Sequence, residues 1–499
     1  MPHVRASTIP AVTATLNARL HTLLEARSAL PHPDLVLDFE RDLHALGRWW
    51  ADSIFASWLA FLLEHTDFEA RVVAARRAVS ERTFKTKGRR DVELKLLGGH
   101  CFLLSVRVLR PLRRAGRPRA HGRRGRGKGH QATPTLQALG FARRASPALA
   151  AQKLELSASC ESIESARRTA RARGIAQSQS TWLKQLEVTS TLAQDALNQW
   201  LDEPLEDGPL EQVCAAGHRI VIGFDGGRLR ERVDKRGRKK SNGYRDFKAD
   251  WVEPRQLVVY AIDEQGKRLK SWGKLAHASL APREQMFAQM RKLFENIEID
   301  KAERVIITAD GQHWQWDELR QMLLDANVQA SKIVEVLDMC HALGRLGEIA
   351  HKPARWKQGA RSRWFSEGKK RLKSGDVDGL ISYCLELAAG SRAKSVKSLT
   401  SYFEKHRERM DYASFKTQGI PTGSGAVESM IRQVVNMRLK SCGKFWKRPN
   451  AERMLMLRSW WVVGRLEDLW RFSLRQRVSW WKPTQVQGSC AFDYAPLFS

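Results

Sequence analysis

The chain has 499 residues, 85 of them Lys or Arg and 54 Asp or Glu, for a formal net charge of +31 at pH 7. That length accommodates about two to four domains, and the cationic excess goes far beyond what solubility requires, which points to a polyanionic partner, nucleic acid first. The longest apolar stretch, Ser57 to Leu63, is interrupted at Glu64 and is too short to span a bilayer, so no membrane association is expected. No signal peptide is visible at Met1, and the expected location is cytoplasmic and nucleoid-associated. Seven cysteines (101, 160, 214, 340, 384, 442 and 490) lie far apart, with no CxxC pair and no Cys/His cluster at zinc spacing. Reduced, mostly buried thiols are expected.

In chain order, residues 1–109 are predicted to form a helical region with a small β-hairpin. Leu43, Leu46, Trp49, Trp50, Ile54, Trp58 and Leu62 recur near helical spacing between Leu35 and Val79. Arg90–Leu97 and Cys101–Val108 read as two strands around the Gly98-Gly99 turn. Residues 110–135 then form a basic Arg/Gly-rich linker or arm, in which Arg113, Arg114, Arg123, Arg124 and Arg126 occur without an intervening acid. Such a run cannot pack a core; it is either a solvated connection or, the preferred reading, an arm that neutralises phosphates.

Residues 136–215 are expected to be a helical, helix-turn-helix-like DNA-binding region. Gly174 would end the first helix and Ser178 or Ser180 would cap the second, with Thr181, Trp182 and Lys184 in its N-terminal half as candidate DNA contacts. Residues 216–350 read as strands ending in acids with amphipathic helices between them, a mixed sheet covered by helices. The predicted strands are 219–224, 256–262, 304–309 and 332–337, and the predicted helices 282–295 and 316–326. Residues 351–415 are basic, Trp-bearing and helical, and are read as an insertion. Residues 416–475 return to the same domain with a final helical block, and 476–499 form a C-terminal tail.

Three carboxylates carry the chemical reading. Asp225 ends the apolar run 220–224, Asp310 ends 305–309, and Glu428 follows Pro421-Thr422-Gly423-Ser424-Gly425 on a predicted helix. Two strand ends and a helix can converge on one point, and hard oxygen ligands on a basic chain select magnesium or manganese. An Asp at a strand end can also simply cap a turn. Asp338 and His341, three residues apart, can share a helix face, where His341 would orient a phosphate or move protons, or Asp338 would merely cap the helix. Arg432, four residues after Glu428, is a candidate phosphate contact or an ion-pair partner of that acid. Trp314 and Trp316 flank Asp310 and are read as packing rather than base stacking, whereas Trp356, Trp364 and Trp446 are open to either role.

Four stretches occur in a specific order: Val221-Ile222-Gly223-Phe224-Asp225-Gly226, Thr308 to Trp316, Asp338-Met339-Cys340-His341-Ala342-Leu343, and Ile420 to Ser429. The last continues through 431–440, Gly443-Lys444-Phe445-Trp446 and 450–458. In these, residues 219 to 461, about half the chain, resemble the catalytic region of bacterial DDE-class insertion-sequence transposases, in particular the ISKra-type group related to Mutator-like transposases. The resemblance implies an α/β ribonuclease H-like catalytic domain with a helical insertion, beside a mainly helical N-terminal DNA-binding region. It implies two Mg²⁺ or Mn²⁺ ions held by Asp225, Asp310 and Glu428, with Asp338 and His341 as further catalytic residues; Arg432, Arg438 and Lys440, downstream of Glu428, are candidate DNA contacts. It also implies double-stranded DNA partners, terminal inverted repeats and target, bound by a homodimer or larger assembly. The expected function is metal-dependent strand cleavage and strand transfer at the ends of an insertion sequence. The alternatives are a transposase-derived DNA-binding protein without catalysis and a ribonuclease H-like RNA-processing nuclease.

Overall fold

The apolar spacing around residues 43–63 folds as one helix, Pro33–Glu64, in which Ala56, Leu59 and Leu63 are buried. In this computed structural model, residues 4–5, 8–26, 33–79, 84–111, 132–203, 208–210, 213–235, 237, 241, 245–310 and 313–480 are described. They divide into two compact units, one taking the described residues of Met1–Leu197 and of Leu469–Ser499, the other Asn198–Asp468.

The first unit contains β1 (Val4–Arg5), α1 (Ile9–Glu25), α2 (Pro33–Glu64), α3 (Thr66–Ala78), β2 (Phe84–Lys95), β3 (Cys101–Pro111), α4 (Pro134–Ala138), α5 (Pro147–Ser159), α6 (Ile163–Ala172) and most of α7 (Gln179–Asp202). The predicted hairpin is present and longer than its apolar core: β2 and β3 are antiparallel from Lys95↔Cys101 to Phe84↔Pro111, and β1 adds a parallel edge to β3. Val92 and Leu94, facing Leu104 and Phe102, alternate onto one face of the hairpin and bury it against Ala56, Leu59 and Leu63 of α2. The turn between α6 and α7 follows its sequence signals. Gly174 takes φ +84° after α6, a conformation that only glycine adopts cheaply. The Ser178 hydroxyl accepts the amide of Thr181 at 3.2 Å at the start of α7.

In the second unit the elements are β4 (Arg219–Gly226), β5 (Leu229–Asp234), β6 (Phe247–Val252), β7 (Arg255–Ile262), β8 (Leu275–Ser279), α8 (Arg283–Asn296), β9 (Arg304–Ala309), α9 (His313–Asp325), β10 (Ile333–Leu337), α10 (Met339–Ala350), α11 (Gln358–Ser374), α12 (Val377–Leu385), α13 (Ala393–Lys405), α14 (Tyr412–Thr417), α15 (Gly425–Ile431), a π-helical turn at Arg432–Asn436, and α16 (Arg448–Val462). The last helix, α17 (Leu466–Arg477), belongs to the first unit from Leu469 onward. A five-stranded sheet runs in the order β10-β9-β4-β7-β8. Strands β10, β9 and β4 are parallel neighbours, and β7 and β8 are antiparallel additions. Ile220, Val221, Ile222 and Phe224 of β4 and Val305 to Ile307 of β9 are buried, as continuous apolar strands covered on both faces must be.

The mixed α/β reading therefore holds, and residues 351–415 are helical throughout their regular elements. The β5–β6 hairpin and β8 were not anticipated. The expected tail beyond residue 480 and the Arg/Gly run 112–131 lie outside the described residues. No described helix is long and apolar enough to cross a membrane. Cys101, Cys160, Cys214, Cys340, Cys384 and Cys442 are free thiols, but only Cys384 is buried, while Cys214, Cys340 and Cys442 are exposed.

Candidate metal centre

Adjacent parallel strands bring residues of equal register side by side, about 4.8 Å apart. The pairs Gly223↔Thr308 and Ala309↔Leu337 set the register of β4, β9 and β10. Asp225, Asp310 and Asp338 therefore emerge at one sheet edge, one from each strand. The amide of Asp338 donates to the Ala309 carbonyl at 3.0 Å, which continues the β9–β10 register to this point.

Glu428 reaches the same edge from α15. A Cβ on Gly223 would stand 3.1 Å from Val427 Cβ, and one on Gly227 would stand 3.2 Å from the Val435 methyls. These glycines let α15 and the following π turn lie directly on β4. The π turn, a geometry that concentrates at functional sites, starts four residues after Glu428.

Asp338 links the two parts. It caps α10, its Oδ1 accepting the amides of Cys340 and, at 3.2 Å, His341. Its Oδ2 accepts the Ser424 amide at 2.7 Å and also the Ser424 hydroxyl. The Ser424 hydroxyl lies 3.2 Å from Glu428 Oε1. His341 Nδ1 stands 3.8 Å from Asp338 Oδ2, an ion-pair distance rather than a hydrogen bond. Ligand atoms of Asp338, His341 and Glu428 lie within 4.8 Å of one another.

That grouping differs from the expected trio of Asp225, Asp310 and Glu428, which does not gather within the same distance among the described residues. Asp338 is nevertheless a poor metal ligand. Each of its oxygens already accepts two hydrogen bonds, which fills the lone-pair positions of a carboxylate. Burial pushes the Asp338 carboxyl up, but the His341 imidazole and the Ser424 hydroxyl and amide outweigh it and hold the group well below the usual carboxylate range. Asp338 is a clamp between α10 and α15.

Asp225 has the opposite electrostatics. Burial, followed by the charges of Asp310 and Glu253, raises its carboxyl to about 6, against the Gly226 amide and His341, which lower it. A half-buried acid facing a second acid is the environment that a divalent cation relieves, and oxygen donors from Asp225, Asp310 and Glu428 suit magnesium or manganese. His341 is raised by its Asp338 partner first, with Asp310 and Asp225 adding to it, and so favours the imidazolium.

The helical region supports this edge from behind. Tyr402 Oη of α13 donates to the Asp310 carbonyl at 3.0 Å, and Tyr412 Oη of α14 to the Leu337 carbonyl at 2.9 Å. Sequence reading missed Ser424, Tyr402, Tyr412 and Glu253. Of these only Ser424 carried a signal, as a helix-capping residue four positions before Glu428.

Among the candidate DNA contacts, Arg113, Arg114, Arg123, Arg124 and Arg126 lie outside the described residues. Thr181 and Lys184 are exposed on α7. Trp182 is not a DNA contact: it is fully buried, and its Nε1 donates to Ser157 Oγ at 3.1 Å, because the apolar side of α7 packs on α5. Arg438 is corrected in the same way, being buried beside Trp446 with its guanidinium 5.4 Å from the ring centre. Arg432 and Lys440 are exposed, and no ion pair joins Arg432 to Glu428. Trp316 is buried, as its packing role requires, while the Trp314 side chain lies outside the described residues. Trp364 stacks on Tyr383 with ring centres 4.9 Å apart and is also buried.

Compared with protein-family models, with curated proteins and with solved structures, the chain matches none of them.

Proposed function

We propose that this chain is a divalent-metal-dependent DNA strand transferase of the DDE transposase kind, with a ribonuclease H-like catalytic domain. The observation that carries the reading is the placement of Asp225 and Asp310 side by side at the ends of adjacent parallel strands, with Glu428 on the helix that packs on the first of them. In chain order the strands of that sheet lie third, second, first, fourth, fifth, with the first, fourth and fifth parallel, and a mixed sheet with acids at the ends of its parallel strands supports the ribonuclease H-like reading. The net charge of +31 supports a nucleic-acid substrate.

Asp225, Asp310 and Glu428 would hold the cations, and the cations, when bound, would supply charge neutralisation at the phosphate and acidity for the attacking oxygen. Asp338 holds Ser424 at the start of the helix that carries Glu428, and so sets where that helix begins. His341, half exposed and inclined to carry a proton, can donate to a non-bridging phosphate oxygen and so fix the scissile group. Water then opens a phosphodiester to leave a 3′-hydroxyl and a 5′-phosphate, and that 3′-hydroxyl attacks a second phosphodiester, joining to its phosphorus, giving up its own proton and releasing the second strand's 3′-oxygen as a new 3′-hydroxyl.

The test is cleavage of the DNA flanking the protein's own gene, with magnesium or manganese, by wild type beside Asp225→Ala. Cutting at discrete ends that disappears in the variant is the expected result. Cutting retained by Asp225→Ala, or cutting of RNA hybrids in preference to duplex DNA, would overturn it.

A further inference from the structure

The β5–β6 hairpin continues the β4–β7 pair outward from the metal centre. Gly226 pairs with Arg255, the Gly227 amide donates to the Pro254 carbonyl at 2.9 Å, and the ladder resumes at Leu229↔Val252 and Arg230↔Trp251. Trp251 is thus five residues beyond Gln256, the partner of Asp225, about 17 Å along the ribbon from it.

One face of this ribbon alternates cations with rings. The Arg230 guanidinium lies 5.5 Å from the Trp251 ring centre and 4.6 Å from that of Phe445. Phe445 is 5.1 Å from Phe247, and Arg232 lies 4.4 Å over Phe247. Phe445 is brought there because Trp446 bridges to β5: its amide donates to the Arg230 carbonyl at 2.9 Å, and its carbonyl accepts the Arg232 amide at 2.7 Å. The stack ends at Trp251, which is 58% exposed, an unusual position for so large an apolar ring.

The charges on this ribbon are not balanced. Glu231 is held by Arg448 at 2.9 Å, Asp234 by Arg232 and Lys447 at 2.7 Å each, and Asp250 by Lys248 at 3.2 Å. No described carboxylate lies at ion-pair distance from Arg230, whose guanidinium donates to the Ser441 carbonyl at 3.2 Å. Residues 228–255 of the sequence hold eleven Lys and Arg against five Asp and Glu. An exposed ring backed by an unneutralised guanidinium suits a ligand that is flat and apolar on its faces and anionic along its backbone. Single-stranded DNA has both properties, whereas duplex DNA hides its base faces.

We propose that the β5–β6 ribbon is a single-strand DNA grip in which Trp251 stacks on an unpaired base and Arg230 faces the adjoining phosphate. This deepens the strand-transfer reading above, since a strand opened at the carboxylates would run onto the ribbon within a few nucleotides.

The experiment measures binding by the full chain in EDTA, where no cutting occurs. The probes are a blunt duplex and the same duplex with a single-stranded extension carrying 2-aminopurine. Wild type is expected to prefer the extended probe and to quench its fluorescence. Trp251→Ala should lose about 5- to 150-fold on the extended probe, the equivalent of one stacked base. It should bind the blunt duplex as wild type does and keep its melting temperature. Trp251→Phe should retain most of the affinity and the quench. Equal affinity of wild type for the two probes, an equal loss on both in Trp251→Ala, or no loss at all would overturn the grip. Cutting with magnesium but no preference for the extension would sink this proposal alone. A Trp251-dependent preference without any cutting would sink the strand-transfer reading alone.

Discussion

The buried carboxylate of Asp338 accepts both the amide and the hydroxyl of Ser424, 86 residues further along the chain. Through that one serine the end of β10 is tied to the helix that carries Glu428. Removing the hydroxyl in Ser424→Ala leaves the 2.7 Å amide contact and deletes the hydroxyl's hydrogen bond to Asp338. Stability should fall by about 2 kcal/mol, the usual worth of a hydrogen bond to a charged group. Cleavage should fall by about tenfold or more, because the start of the helix that carries Glu428 is less firmly tied to the strand ends. Ser424→Thr should recover most of both, measured as melting temperature and single-turnover rate.

Asp338→Asn puts an amide nitrogen where only acceptors fit and should cost about 3 kcal/mol. The pH dependence fixes the cause. The folded-state value of Asp338 lies below its ordinary 3.8, so its stabilisation is whole above about pH 4 and is lost as pH falls through the depressed folded value. Wild type should therefore lose more stability on acidification than Asp338→Asn, and parallel acid-denaturation curves for the two proteins would contradict the clamp.

Asp225 should behave in the opposite sense. Its folded value is raised from 3.8 to about 6, so the folded state favours the protonated form. That contribution is present below about pH 4 and is lost as pH rises through 6. In EDTA the melting temperature of wild type should fall between these values relative to Asp225→Asn, which has nothing to ionise. Magnesium or manganese at neutral pH should restore wild type and leave the variant unmoved. A melting temperature that ignores the metal in both proteins would remove Asp225 from the centre.

The parts of this site that could be read from the chain are those whose cause is local. An apolar run followed by Asp marks a buried strand ending at the sheet edge, which is why Asp225 and Asp310 were legible and why their strands fell close to the predicted bounds. Helix α7 was legible as a helix, but Trp182 was assigned to the wrong side of it, since only the packing of α7 on α5 decides which face is buried. Strands β5 and β6 were invisible because Leu229–Asp234 and Phe247–Val252 mix charges and rings without a clean apolar face. The Asp338–Ser424 contact and the tyrosine braces are long-range, and no periodicity reports them.

Gly223 tests how closely α15 must approach the sheet. Its backbone is ordinary for a strand, so Gly223→Ala is not strained by conformation; the new methyl instead meets Val427 Cβ at 3.1 Å. Overpacking of this kind costs about 1–3 kcal/mol. The neighbour it displaces precedes Glu428, so the cleavage rate should drop by about a hundredfold, well beyond what the lost stability explains. Gly223→Ala combined with Val427→Gly should return part of the activity, because the second change removes the Cβ that the new methyl meets, at the cost of about 1 kcal/mol for a glycine inside the helix. Failure of the double variant to recover would show that the glycine serves something other than this approach.

The two tyrosines distinguish bracing of the strand ends from simple burial. Tyr412 is buried and donates to the Leu337 carbonyl at 2.9 Å, one residue before Asp338, while Tyr402 donates to the carbonyl of Asp310 itself at 3.0 Å. Replacing either with Phe keeps the ring and removes a single donor, leaving a carbonyl short of one partner. Tyr412→Phe should cost about 1 kcal/mol, with the larger fall in melting temperature of the two, because its carbonyl has less access to water. Tyr402→Phe should lower cleavage by about tenfold with little change in stability, since the group it releases is the backbone of a proposed metal ligand. The apparent metal affinity, read from cleavage as a function of magnesium, should weaken in Tyr402→Phe and stay near wild type in Tyr412→Phe. Equal metal affinity in both would mean that the helices of 351–415 cover the sheet edge without positioning Asp310.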